Sequence, residues 1–437
     1  MEYTKKQIID LFGQYRNSDF LKNVFHLVSG TTIAQLIPIL LQPVLRRLYT
    51  PADFGAFAIY FNVMSVLAVV LTLRYEQAIV ISENDVEAAN VISLAGIFAL
   101  ALSSFFAIVL FVFFNKVQVF LNFPLTHIFW LYFLPLSAFL FSIYETLNYW
   151  LIRKKAFKSS ALNKISRRSV EGGIQAFFGF KHNVFGLFIG DICGNLVNVI
   201  SAVFQIKRKN FTMAKVSKSK MTAVLKRYSH FPKYNLIPTL LNAASLAIPL
   251  LLINKLFDPV QVGYIDLSRQ VLAVPLALIS ITIGQVLLQR LAQKRNDKLS
   301  ILFDLKSLFL GLAITAVFEI IIILFFGEFL FGIVFGKSWI ISGSYSKILV
   351  FSYSVKFVMT TLSIAFIALE KIKLIAIWQV SYFCAILLLF FVRNISVVQF
   401  LVLYVIIELV SYSIYFGLLV NTVKKYEKGL LELNQDN

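Results

Sequence analysis

The chain has 437 residues, of which 59% are hydrophobic and only 14% charged, with a formal net charge of +19. Ordinary soluble domains carry about 25% charged residues, and 44 Phe are more than one globular core hides, whereas a bilayer lets the outer surface be apolar too. A soluble enzyme is therefore excluded, and the basic excess reads as loop charge on one side of a membrane, not as a nucleic-acid surface.

The chain opens on a polar, amphipathic stretch over 1–23. It lacks the apolar h-region and small-residue cleavage site of a signal peptide, so an uncleaved cytoplasmic segment is expected, with the first span as the entry signal. Apolar runs then predict spans at 24–46, 54–73, 90–114, 125–150, 169–181, 184–206, 234–255, 262–288, 306–326, 345–368, 373–392 and 398–420. Each spanning helix needs roughly 20 residues. Glu171, Gly172 and Gly173 interrupt the start of the fifth. The expected architecture is an all-α polytopic membrane protein of about twelve transmembrane helices. Two pseudo-symmetric six-helix lobes are expected at 24–228 and 229–423, with a cytoplasmic tail over 424–437.

A cytoplasmic N-terminus puts 31 of the 41 Lys and Arg on the cytoplasmic side and eight on the other, as the positive-inside rule requires for an even number of spans. The longest basic connection, 207–233, divides the chain nearly in half. The halves share a motif at an offset of 208: Leu48-Tyr49-Thr50-Pro51-Ala52-Asp53-Phe54-Gly55 against Leu256-Phe257-Asp258-Pro259-Val260-Gln261-Val262-Gly263. In each copy Pro is expected to end one helix and Gly to open the next, marking a tight turn outside the membrane. An even number of spans per half makes these parallel repeats about an axis along the membrane normal.

Soluble-enzyme motifs are missing or misplaced. Phe331-Gly332-Ile333-Val334-Phe335-Gly336-Lys337-Ser338 mimics a phosphate-binding loop but lacks its first Gly and any preceding strand. Four His and two Cys, Cys193 and Cys384, offer no metal spacing, and no cofactor is expected. The absence of a long external loop argues against a polysaccharide polymerase or ligase. Gly186, Gly190 and Gly194 recur every four residues and read as a helix-packing face.

Charges inside spans are costly and normally face a cavity or a partner. Glu145, Asp191, Asp266, Arg269, Glu319, Lys356 and Glu408 qualify. Asp266 and Arg269, three apart, share a helical face and form either a self-neutralising pair or a binding site. Asp191 is either a cation or proton site, with Glu145 and Glu319 as further candidates, or the partner of a basic residue elsewhere. Arg74 with Glu76 is a binding group or an interfacial pair.

Gly30-Thr31-Thr32-Ile33-Ala34-Gln35-Leu36-Ile37-Pro38, then Arg47-Leu48-Tyr49-Thr50-Pro51 and Phe54-Gly55, resemble the first segment of bacterial O-antigen and polysaccharide flippases. Leu73-Arg74-Tyr75-Glu76-Gln77-Ala78-Ile79, Gly263-Tyr264, Leu267-Ser268-Arg269, Pro275, Phe335-Gly336, Trp339 and Gly343 extend the resemblance over most of the chain. These flippases are a branch of the MOP superfamily, which also holds MATE drug exporters and lipid II flippases. The resemblance implies a V-shaped two-lobe bundle in the bacterial inner membrane. It also implies transfer of undecaprenyl-diphosphate-linked oligosaccharide between leaflets. Membrane lipids, a coupling ion (H+ or Na+) and polysaccharide polymerase or assembly proteins are the further partners it brings. On this reading Arg269, Lys356, Asp266 and Arg74 line a central cavity. Arg46, Arg47 and Lys255 form a basic patch at its outer mouth. A MATE-like exporter of cationic drugs is the alternative, and acidic cavity residues would be its mark.

Overall fold

The computed structural model describes residues 36–209, 211 and 216–435. The 1–23 segment, the first half of the first expected span and the 30–35 part of the first family motif lie outside the described residues. All regular structure among the described residues is helical. The long helices are α1 (36–48), α2 (Pro51–Leu71), α3 (Asp85–Val112), α4 (Leu134–Arg153), α5 (Phe157–Phe180) and α6 (Gly186–Arg208). They continue as α7 (Leu236–Leu256), α8 (Pro259–Asn296), α9 (Leu302–Phe335), α10 (Ile340–Leu362), α11 (Ile372–Leu387) and α12 (Val397–Gln435).

Among the described residues, ten helical segments are long and apolar enough to cross a membrane. They fall on the expected spans other than the first and fifth. The fifth differs for a physical reason: α5 is long enough but carries Lys158, Lys164, Arg167, Arg168 and Glu171. Its polar groups are tolerated because Asn163, Arg167, Glu171 and Gln175 are buried inside the protein instead of facing lipid. Outward faces elsewhere are apolar, with Phe111, Phe325 and Phe391 among the most exposed side chains.

Local chemistry sets the helix starts. Thr50 and Asp53 form a reciprocal cap at α2, with the Thr50 amide donating to Asp53 Oδ2 (2.9 Å) and the Asp53 amide to Thr50 Oγ1 (3.3 Å). Asp258 accepts from the Gln261 amide (2.9 Å) at the start of α8, with Pro259 as its first residue. Asn84 does the same for the Glu87 amide at α3 (2.9 Å). Pro249 and Pro275 lie within α7 and α8, which remain helical through them.

The chain divides into two compact units. Among the described residues, the first comprises 36–48, Val63–Val117 and the described part of His127–Ile237; the second comprises Tyr49–Asn62, Gln118–Thr126 and 238–435. In the first, α6 packs against α4 and α5, and α3 against α4. In the second, α10 packs against α8, α9 and α12 and is part of the most buried of the candidate spans. The α9–α10 contact is close: a Cβ on Gly343 would sit 2.6 Å from Glu328 Cα. The C-terminal extension of α12 is structured, with Glu427 Oε1 accepting from the Ile301 and Leu302 amides at the start of α9 (2.9 and 3.0 Å).

Candidate functional site

The central position of α10 brings Tyr353 and Lys356 into the interior of the second unit, where α8, α11 and α12 supply the rest of a polar cluster. Arg269 of α8 donates from Nε to the Tyr353 hydroxyl (3.0 Å) and from Nη2 to the Leu246 carbonyl (3.3 Å). Its Nη1 is buried with no hydrogen-bond partner. A void of about 10 Å³ adjoins Arg269 and Tyr404, roughly the space of one water. Lys356 Nζ lies 5.9 Å over the Tyr353 ring, a cation–π contact, and is near enough to Arg269, Glu408 and Tyr412 to interact with them electrostatically.

Glu408 of α12 is almost fully buried. One of its oxygens accepts from the hydroxyls of Tyr404 (2.8 Å) and Tyr382, while Oε2 has no partner. Glu319 of α9 accepts from Ser354 Oγ (3.0 Å). Asp266 accepts from Gln270 Nε2 (2.8 Å), so Arg269 turns its hydrogen bonds to α7 and α10 although Asp266 shares its helical face. The arrangement holds two half-buried cations between phenol rings and leaves a guanidinium N–H free to bind an oxyanion.

A second polar cluster lies in the first unit, between α5 and α6. Glycine makes it possible. A Cβ on Gly190 would fall 2.8 Å from the Glu171 carbonyl oxygen, and one on Gly194 would fall 2.9 Å from Glu171 Cβ, so the Gly stripe of α6 is a packing face for α5. Arg167 Nη2 approaches Asp191 Oδ1 at 3.5 Å and its Nε approaches Glu171 Oε2 at 3.7 Å; Arg168 binds the same Glu171 oxygen at 2.9 Å. Asp191, Asn195 and Asn198 are fully enclosed. Ser201 donates to Asn163 at 2.6 Å. Glu145 of α4 is half-buried and within electrostatic reach of Lys164 and Arg167.

Arg74 lies in the break after α2 with φ 65°, a left-handed backbone, and pairs with buried Glu76 at 3.1 Å. Arg46 is buried, its Nε on Gln42 Oε1 (2.8 Å), whereas Arg47 and Lys255 are exposed.

Arg167, between the expected spans 125–150 and 169–181, lies within α5, and Tyr353, Tyr382 and Tyr404 are site residues that the sequence pattern does not single out. A signal existed for each cluster. Arg167 and Glu171 are four apart, as are Tyr404 and Glu408, the spacing that puts two side chains on one helical face. What links them to α6 or α10 is tertiary and leaves no local pattern.

The fold and these embedded clusters define a multi-pass helical membrane protein. Over 92% of this chain and 99% of the other, it is similar (TM-score 0.67, 14% identity) to a multidrug resistance MATE family transporter in an inward-facing conformation. It is also similar to the lipid II flippase MurJ in an inward closed conformation, with TM-score 0.73 and 12% identity over 93% and 90% of the two chains. No curated protein sequence matches the chain. Residues 44–343 match the family model described as polysaccharide biosynthesis protein, and the chain belongs to that family.

Proposed function

We propose that this protein is a flippase for undecaprenyl-diphosphate-linked oligosaccharide. It carries an O-antigen or other surface-polysaccharide repeat unit from the cytoplasmic to the outer leaflet of the bacterial cytoplasmic membrane by alternating access. The observation that carries the reading is the pair of membrane-embedded cations, Arg269 and Lys356, with a guanidinium N–H left unpartnered. A diphosphate is the feature of the carrier that needs cations at that depth, where a low dielectric strengthens the attraction. Family membership over 44–343 points the same way. The basic-residue bias supports cytoplasmic termini and a cytoplasmic 207–233 connection. Deleting the gene and following lipid-linked intermediates tests the proposal. Intact repeat units stranded on the cytoplasmic leaflet are expected; normal translocation in the deletion strain refutes it.

A further inference from the structure

A cavity of about 550 Å³ lies in the second unit and shares no lining residue with the void beside Arg269. It forms where the C-terminal end of α7 meets the connection between α11 and α12. Leu252, Leu256, Phe257 and Phe390 line it, together with two cations, Lys255 and Arg393. Both cations are exposed. Arg393 has no carboxylate partner among the described residues, and Lys255 lies over the Phe120 ring, 5.4 Å from its centroid. No acidic side chain lines the cavity. Two helical segments long and apolar enough to cross a membrane, Leu236–Leu256 and Ile372–Phe391, end here, and the end of a spanning helix is where lipid headgroups lie. On the sequence-based topology this is the side with only eight basic residues, so the positive-inside rule does not account for two of them converging on one pocket.

The geometry points to a binding site for an anionic phospholipid, its phosphate held between Lys255 and Arg393 and its acyl chains on Leu252, Leu256 and Phe390. Arg supplies a fork for two phosphate oxygens and Lys a mobile point charge. Basic pockets at the ends of membrane helices bind anionic headgroups by this chemistry. A simpler role for the same residues is neutralising the partial negative charge of two helix C-termini. That role stabilises the protein equally in any lipid; headgroup binding does so only when the anionic lipid is present.

The full chain, purified in phosphatidylcholine nanodiscs, is titrated with phosphatidylglycerol, and thermal stability and co-purified lipid by native mass spectrometry are recorded. The wild type is expected to retain phosphatidylglycerol about tenfold or more in preference to phosphatidylcholine and to gain stability from it. Lys255→Gln with Arg393→Gln is expected to lose most of both effects. An equal response in wild type and variant, or a variant destabilised alike in both lipids, overturns the site. Selective retention of a polyprenyl diphosphate instead of phosphatidylglycerol by the same two residues overturns the choice of occupant. The test is independent of the flipping reading: Arg269→Ala is expected to leave the lipid preference unchanged.

Discussion

Gly55 and Gly263 pack against each other's turns. A Cβ on Gly55 would lie 1.7 Å from the Pro259 carbonyl oxygen, and one on Gly263 would lie 1.9 Å from that of Pro51. Each glycine is four residues beyond the proline that opens its helix, and both pairs are related by the offset of 208. The N-terminal turns of α2 and α8 therefore cross in mutual backbone contact, and the two copies of the motif meet in space as well as matching in sequence. Phe54 also makes an edge-to-face contact with Trp339, another residue of the family resemblance, 5.7 Å between centroids.

Gly55→Ala and Gly263→Ala are each expected to destabilise the protein by about 1–3 kcal/mol, the usual cost of overpacking, because the obstacle is backbone and cannot rotate away. Thermal melts of the purified variants check this. Gly173→Ala is the control, since nothing lies within 4 Å of its added methyl. Equal melting temperatures for all three variants would contradict the crossing.

Much of this fold is readable in the residues. Hydropathy places ten of the twelve expected spans on helices that qualify by length and composition, because lipid imposes an apolar exterior that a sequence cannot hide. The Thr50–Asp53 and Asp258–Gln261 caps are readable too, being local. The α5 start was not, because a helix whose polar face is buried in protein has the hydropathy of a loop. In the site, the in-span charges Arg269, Lys356 and Asp191 stood out by their cost. Their partners did not: Tyr353 and Tyr404 are ordinary residues of an aromatic-rich chain until the packing of α8, α10 and α12 brings their hydroxyls to a charge.

The Arg167–Asp191 contact is a buried ion pair, and removing one partner from such a pair is costly because the other charge is stranded. Asp191→Asn is expected to destabilise the protein by about 3–5 kcal/mol, and Arg167→Gln with Asp191→Asn by clearly less than the two single changes added together. A double-mutant cycle on chemical or thermal unfolding measures the coupling. Strict additivity would mean that Arg167 is held by Glu171 alone. Gly194→Leu, which forces α5 from α6, is expected to mimic the loss.

The basic helix Lys218–Arg227 is attached to the start of α3 through Arg227, which bonds Glu83 and reaches Glu87 at 3.0 Å. The Arg227 hydrogen bond holds the Glu83 carboxyl below its ordinary range. A carboxyl depressed in the folded state contributes stability above its unfolded value of 4.5 and loses that contribution as pH falls through the lowered folded value. Proteolysis within the 207–233 connection is therefore expected to accelerate as pH drops below about 4, measured with an acid-active protease. In Arg227→Gln cleavage is expected to be faster at neutral pH and nearly indifferent to acid. A wild-type rate that is flat with pH would sink this account.

Arg269 offers the sharpest test of the transport reading because its structural and binding roles use different atoms. Nε and Nη2 hold Tyr353 and the Leu246 carbonyl, whereas Nη1 is unpartnered. Tyr353→Phe removes the hydroxyl that orients the guanidinium but keeps its charge, so a modest transport loss is expected. Arg269→Ala removes everything, and losing charge-assisted bonds worth about 1.5–3 kcal/mol lowers transport by roughly 10–150-fold. Arg269→Lys is expected to recover only part of this, since the charge returns without the fork. Lys356→Ala is expected to resemble Arg269→Ala, and Lys356→Arg to be better tolerated. Transport is read from surface polysaccharide per unit of membrane-inserted protein, so that folding losses are divided out. The competing account makes Arg269 only the neutraliser of Asp266, whose hydrogen bond goes to Gln270. Asp266→Asn with Arg269→Gln separates the two: neutralisation alone predicts normal transport from the double variant, whereas diphosphate binding predicts a defect as deep as that of Arg269→Ala.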